Sequence, residues 1–203
     1  NTTADLKYLK ETGLAEQIIK LTEAGVPVVG ICGGYQMLGT KLFDPQLIEG
    51  QEKELTVLGL LDLETTFNSA KATYQVQAEL KAEQGFFSHL SVSEVTGYEI
   101  HMGQTDLGNK AQAIFTITTR SEQKVDIGDG ACNLQGTVWG TYLHGIFDND
   151  QFRRDWINYL RQKKNLEPLT ADYTSNRQQL EASYDQLARV VKENLNLELI
   201  FYL

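Results

Sequence analysis

Cysteine, proline and histidine are all scarce in this sequence: two, three and three among 203 residues. Two cysteines far apart, Cys32 and Cys132, exclude a disulfide framework and suit a reducing cytosol, where we expect the protein to work. No apolar stretch approaches the roughly 20 residues of a membrane span, and no signal-peptide pattern opens the chain. Basic residues are outnumbered, 18 Lys and Arg against 27 Asp and Glu. The resulting charge of −9 argues against nucleic acid or an anionic membrane as a partner. No usual ligand spacing of His, Cys, Asp and Glu occurs, so no metal is expected. What is present is an ordinary globular composition, 41% hydrophobic and 22% charged, long enough for one domain or a domain plus an extension. The chain opens on Asn1-Thr2-Thr3 rather than Met, from which we expect a fragment or a processed form.

Leu6, Leu9, Leu14, Ile18, Ile19 and Leu21 recur at helical spacing and predict one helix over 4–24, ending at Gly25. Pro27 then opens a short apolar run, Val28 to Ile31, which reads as a buried parallel strand. A helix is expected after Cys32, through about Phe43, with Asp44-Pro45 as its stop. Strands are predicted at Leu58–Phe67, Ala72–Leu80, Tyr98–Met102, Ala113–Thr119 and Thr137–Leu143. Phe152–Lys163 and Gln178–Leu195 read as amphipathic helices. The order suggests a layered α/β domain with an antiparallel section in the middle.

Cys32 ends an apolar strand and is followed by Gly33, Gly34 and a helix. Such an elbow raises one side chain above the sheet edge and points helix N–H groups at it. Those groups stabilise a thiolate or an oxyanion. A free cysteine is also among the most buried residue types and packs as a small hydrophobe, so the elbow alone leaves both readings open. A thiol nucleophile needs a base. His144 ends the strand of "WGTYLHG" and is the candidate at a second strand end; His89 reads as a solvated loop residue. Glu99 and His101 stand two apart on one predicted strand and share a face. They form an acid–base pair, a substrate-holding pair, or an ordinary cross-strand polar pair. Gly34–Lys41 imitates a phosphate loop, but Thr40 separates the glycine from the lysine and Tyr35 and Met37 are too bulky for a cradle. Cys132 is expected to be structural. Trp139, Tyr142 and Phe147 are expected to pack the sheet edge, and Arg153 and Arg154 to face solvent or another domain.

"GICGGYQMLG", "GYEIHMG" and "GTYLHGIFDND" stand in the order and spacing of class I glutamine amidotransferase domains. With "DPQLIEG", "LGLLDLETTF" and the closing "YDQLARVVKENLNLELIF", the chain resembles the CobB/CobQ family, in particular its cobyric acid synthase branch. The resemblance implies a flavodoxin-like α/β domain with a mixed, mostly parallel sheet and C-terminal helices. Residues 1–203 would form the glutaminase domain, 164–203 its helical extension, without the N-terminal ATP-dependent synthase domain. Cys32 would attack the amide of glutamine and His144 would shuttle the proton. Gly33 would donate to the oxyanion, and Gln36 occupies a position that in relatives contacts glutamine. No cofactor is implied for this chain; ATP and Mg²⁺ belong to the synthase domain, which amidates a corrinoid, adenosylcobyrinic acid a,c-diamide. Two departures matter. Ile146 stands where many amidotransferases carry a Glu, so the third triad member is either absent, leaving a Cys–His dyad, or comes from elsewhere. The P-G-[ST]-K loop that precedes the opening "NT" in relatives, and gives a second oxyanion N–H, is not in these residues. The rival readings are the glutaminase subunit that serves lipid II amidation, which shares "CGGYQ" and "YLHG", a cysteine hydrolase of the same superfamily, and a non-catalytic partner domain that keeps the fold and only docks an ATPase.

Overall fold

The computed structural model describes residues 1–170 and 175–196. Two helices open the chain, α1 (Thr2–Glu11) and α2 (Leu14–Glu23). The single helix expected over 4–24 is broken because Gly13 sits at φ +76°, in the left-handed region that only glycine enters cheaply. Strand β1 (Val28–Ile31) and helix α3 (Gly33–Leu38) follow. Helix α3 stops short of the expected Phe43, since Gly39 turns extended and Lys41–Phe43 becomes β2. There the backbone pairs with two strands at once, β3 (Glu54–Thr56) and β4 (Leu63–Leu80). That ladder outweighs one more helical turn. The chain before Leu63 is a loop, where a strand from Leu58 was expected. Beyond it β4 runs on through both predicted strands, with a register break between Thr66 and Lys71.

The remaining strands are β5 (Glu94–Leu107), β6 (Ala111–Arg120), β7 (Gln123–Asn133), β8 (Val138–Thr141) and β9 (Leu143–His144). Like β2, strands β3 and β7 are not foreseen in the sequence. Helices α4 (Asp150–Lys163) and α5 (Asn176–Asn194) close the described part, as predicted. The end of the closing motif, residues 197–201, lies outside the described residues. None of the described helices is long and apolar enough to cross a membrane.

The nine strands form one mixed sheet in the order β1-β8-β7-β6-β4-β2-β3, with β5 between β4 and β9. The α/β expectation holds, but the parallel share is smaller than expected. Only β1–β8 and β2–β4 pair parallel; the other pairings are antiparallel. The reason lies between residues 63 and 133. That stretch holds one short 3-10 turn and no crossover helix, and parallel neighbours need a long crossover.

An aromatic core beneath β8 is built from Trp139, Phe86, Phe152 and Trp156. On the other face, Tyr35 and Leu38 of α3 pack against Val138 and Tyr142. A side chain at Gly30 would lie 2.7 Å from the Gly34 backbone and from Leu38. Glycine there is what lets α3 fold back closely onto β1, and so fixes the angle at Cys32.

Candidate active site

Cys32 occupies the turn between β1 and α3 with φ +55° and ψ −117°, a conformation that costs a non-glycine residue energy and persists only where the surroundings impose it. Two hydrogen bonds impose it. The Cys32 N–H donates to the Thr141 carbonyl at 3.0 Å, and the Cys32 carbonyl accepts from Gln36 N–H at 3.1 Å. The thiol donates to the Ile100 carbonyl of β5 at 3.4 Å. Burial pushes the thiol above its ordinary pKa; the Gly33 N–H opposes this, Glu49 adds to the rise and Lys71 offsets it.

With the pKa raised, the thiol stays protonated to a higher pH than an exposed cysteine. Alkylation of Cys32 by iodoacetamide is therefore expected to keep accelerating as pH rises through 9.0, the ordinary value. A rate that levels off at about pH 8 or lower contradicts this. Cys132 does not compete: it is fully buried in β7, accepts from Gln84 Nε2 at 2.9 Å, and burial pushes it to about 11.

His144 lies in β9, where it pairs with Tyr98 of β5. Cys32 and His144 are bracketed by the same two segments. Cys32 touches Thr141, three residues before His144, and Ile100, two residues after the partner of His144. Both strand ends thus lie beside the same two segments, although His144 is not among the residues that line the cavity holding Cys32. In this state, however, the thiol bonds a carbonyl rather than the imidazole. His144 Nε2 is buried, and neither ring nitrogen makes a hydrogen bond among the described residues. Ile146 beside it is fully buried in the aromatic core, so no carboxylate from that position orients the ring.

The remaining candidates fall into one network. Gln36 is buried on α3; its Nε2 donates to the Met102 carbonyl at 3.1 Å and to Tyr142 Oη at 3.3 Å, and its Oε1 accepts from Thr2 Oγ1 at 3.0 Å. Tyr142 packs against the sheet as expected, and its ring and hydroxyl also reach this network. It stacks on His101 with centroids 4.0 Å apart and bonds Thr105 at 2.6 Å. Trp139 and Phe147 pack in the core as expected. Arg153 turns back onto the Phe147 carbonyl and Asp150.

Glu99 and His101 share a face of β5, as their spacing requires, with His101 Nε2 3.1 Å from Glu99 Oε1. The structure adds a third group that spacing does not reveal. Arg120, at the end of β6, forks onto Glu99 at 2.6 and 2.5 Å. Burial raises the Glu99 pKa, but the hydrogen bonds from His101 and Arg120 outweigh it and hold the carboxyl below its ordinary value. His101 Nδ1 lies 3.0 Å from the Gly103 carbonyl, so both ring nitrogens face acceptors. Asp129 behind this cluster is driven up to about 6 by burial, opposed by bonds from Thr141 and Tyr142.

Two cavities meet here. One of about 280 Å³ holds Cys32, Gln36, Glu49 and Lys71; one of about 520 Å³ holds Glu99, Arg120 and Asp129. Lys71 and His101 border both. Thr2, Glu49, Lys71 and Arg120 are site residues that the sequence reading missed. Glu49 stands in the noted "DPQLIEG" segment; Arg120 is placed only by strand register. No group of three or more His, Cys, Asp and Glu that would hold a metal occurs among the described residues.

Residues 1–152 match the CobB/CobQ-like glutamine amidotransferase domain family. A curated cobyric acid synthase of Desulforamulus reducens is 47% identical over 199 residues, covering 98% of this chain and 38% of that protein. One of Dehalococcoides mccartyi is 45% identical over 201 residues, covering 99% and 39%. The chain thus spans about 38% of the length of the first of these relatives. Among solved structures, a glutamine amidotransferase is superposable with TM-score 0.51 at 15% identity, over 79% of this chain and 74% of that one. PurLQS from Thermotoga maritima gives 0.51 at 18% identity, over 72% and 68%. At such identities the likeness is one of fold.

Proposed function

Because the chain belongs to the CobB/CobQ-like glutamine amidotransferase family, we propose that it is the glutaminase part of a cobyric acid synthase. The observation that carries this is Cys32 held at a strained elbow in a small cavity, close in the fold to a buried, unpaired His144 nitrogen. His144 takes the thiol proton. The thiolate then attacks the side-chain amide carbon of glutamine and its electron pair moves onto oxygen, which the Gly33 N–H receives. Collapse of that oxyanion expels ammonia, to which His144 returns the proton, and leaves a glutamyl thioester. Water, deprotonated by the same imidazole, releases glutamate and restores the thiol.

The ammonia goes on to the ATP-dependent amidation of four carboxylates (b, d, e, g) of adenosylcobyrinic acid a,c-diamide. In this reading residues 1–203 are the glutaminase domain, with 164–203 its helical extension, and the ATP-dependent domain is a separate part of the synthase. In this reading ATP and Mg²⁺ are bound by that other domain, and no step here runs through them. A cytoplasmic location belongs to the same reading and agrees with two unpaired cysteines. The curated relatives named as cobyric acid synthases favour it over a lipid II glutaminase or a cysteine hydrolase.

The test is trapping with a glutamine-analogue diazoketone. Labelling of Cys32 that added glutamine slows supports the glutaminase. Labelling that glutamine leaves unchanged favours a hydrolase, and no labelling leaves a docking domain.

A further inference from the structure

The Cys32 cavity carries two opposite charges that do not neutralise one another. Glu49 and Lys71 both line it, yet no ion pair joins them among the described residues. Glu49 is fixed by its surroundings. Its N–H donates to the buried Asp44 at 2.8 Å, and its carbonyl accepts from Asn1 and Thr3, each at 2.7 Å. Its Oε2 accepts from the Thr2 N–H at 3.1 Å, while Oε1 makes no hydrogen bond among the described residues. Lys71 begins the second half of β4, directly after the register break and opposite Met102. Its ammonium makes no hydrogen bond or ion pair among the described residues. Met102 in turn holds Gln36, so both charges are tied to the elements that frame the thiol.

The larger neighbouring cavity differs. Glu99, Arg120 and His101 satisfy one another there, and Asp129 is bonded by Thr141 and Tyr142. In the thiol cavity Glu49 and Lys71, the latter also bordering the larger one, keep bonding capacity to spare among the described residues. A ligand bearing both counter-charges on a small frame fits that pattern, because the half-buried Glu49 and the exposed Lys71 would each gain a charge-assisted hydrogen bond from it. At about 280 Å³ the space lies at the small end of metabolite sites, roughly 300–1,000 Å³.

We propose that Glu49 and Lys71 read the α-ammonium and the α-carboxylate of free glutamine, respectively, while its side-chain amide lies at Cys32. The proposal rests on the glutaminase reading and deepens it. It also explains how the site refuses glutamine residues within proteins, whose α-groups are uncharged amides. Rejection through unmet polar groups is the stronger kind of specificity.

Protection of Cys32 from iodoacetamide reads ligand affinity without turnover. Three ligands suffice: L-glutamine, glutaramate, which lacks the ammonium, and glutamine α-methylamide, which lacks the carboxylate. The wild-type chain is expected to bind glutamine about 10-fold or more tighter than either analogue. Glu49→Gln should weaken glutamine and the α-methylamide by a similar factor and leave glutaramate unchanged. Its amide oxygen still accepts from Thr2, so α1 stays docked. Lys71→Met should weaken glutamine and glutaramate and leave the α-methylamide unchanged. Equal losses for all three ligands, or no loss, overturn the assignment while glutamine protection of the wild type stands. If glutamine does not protect the wild type and the diazoketone does not label it, the glutaminase reading itself fails, and this assignment with it.

Discussion

Cys32→Ala is expected to lower glutamine hydrolysis by on the order of 10⁴-fold or more, since removing the nucleophile of a concerted set costs nearly the whole advantage of the set. The loss should fall on kcat, because the groups that hold the substrate are other residues. The fold should survive. The elbow conformation is imposed by the bonds to Thr141 and Gln36, which use only the backbone of residue 32. Alanine is also no more hindered at φ +55° than cysteine. His144→Asn is expected to lose less, about 10²–10⁴-fold, as for removal of a general acid–base. Glutamate release, measured with the melting temperature of each variant, checks both. Appreciable turnover in a well-folded Cys32→Ala protein would remove the thioester mechanism altogether. Full activity in His144→Asn would move the base elsewhere, and His101, bordering the same cavity, would be the next histidine to test.

Arg120→Met is expected to destabilise the fold by about 3–5 kcal/mol at pH 7, the usual cost of stripping the partner from a buried charge. Glu99 is 2% exposed and takes both of its strongest bonds from that guanidinium. The loss should depend on pH, with a sign that follows from Glu99. In the wild type its pKa is held below the ordinary 4.5. It therefore contributes stability that is present above 4.5 and is lost as pH falls through the folded value. Without Arg120 only the His101 contacts oppose burial, so the variant keeps less of the stability that the ionised carboxyl contributes. The gap between the two proteins should accordingly open from acid to neutral pH in urea titrations. Should the variant not fold at pH 7, Glu99→Gln/Arg120→Met gives the same information. Removing both charges is expected to recover most of the stability. A gap below about 1 kcal/mol, or one that does not change with pH, would show that the pair is no more than a surface ion pair.

This pair also marks how far the sequence could be read. Two-residue spacing puts Glu99 and His101 on one face, because side chains alternate along any strand. Nothing local announces Arg120, which reaches Glu99 from β6, a different strand on the other side of β4. The helix ends illustrate the same limit. A glycine in an apolar helical pattern is tolerable on propensity alone, yet Gly13 adopts a left-handed conformation and splits the helix. At Lys41–Phe43 the helical continuation is plausible locally, but two neighbouring strands claim the backbone. The balance of the sheet was misjudged for a related reason. Parallel and antiparallel strands look alike as apolar runs, and the connections between them set the direction.

The sequence by itself determined the elbow at Cys32, the strand end at His144, the closing helices and the family, since each is written in short-range patterns of glycine, apolar and polar residues. Tertiary structure alone decided where the charges stand. Thr2 and Glu49 reach the thiol cavity because α1 docks on the loop of residues 44–50, and Lys71 because β4 breaks register beside Met102. Charges act through space over several ångströms, and no local pattern records which distant segments will be folded to within that range.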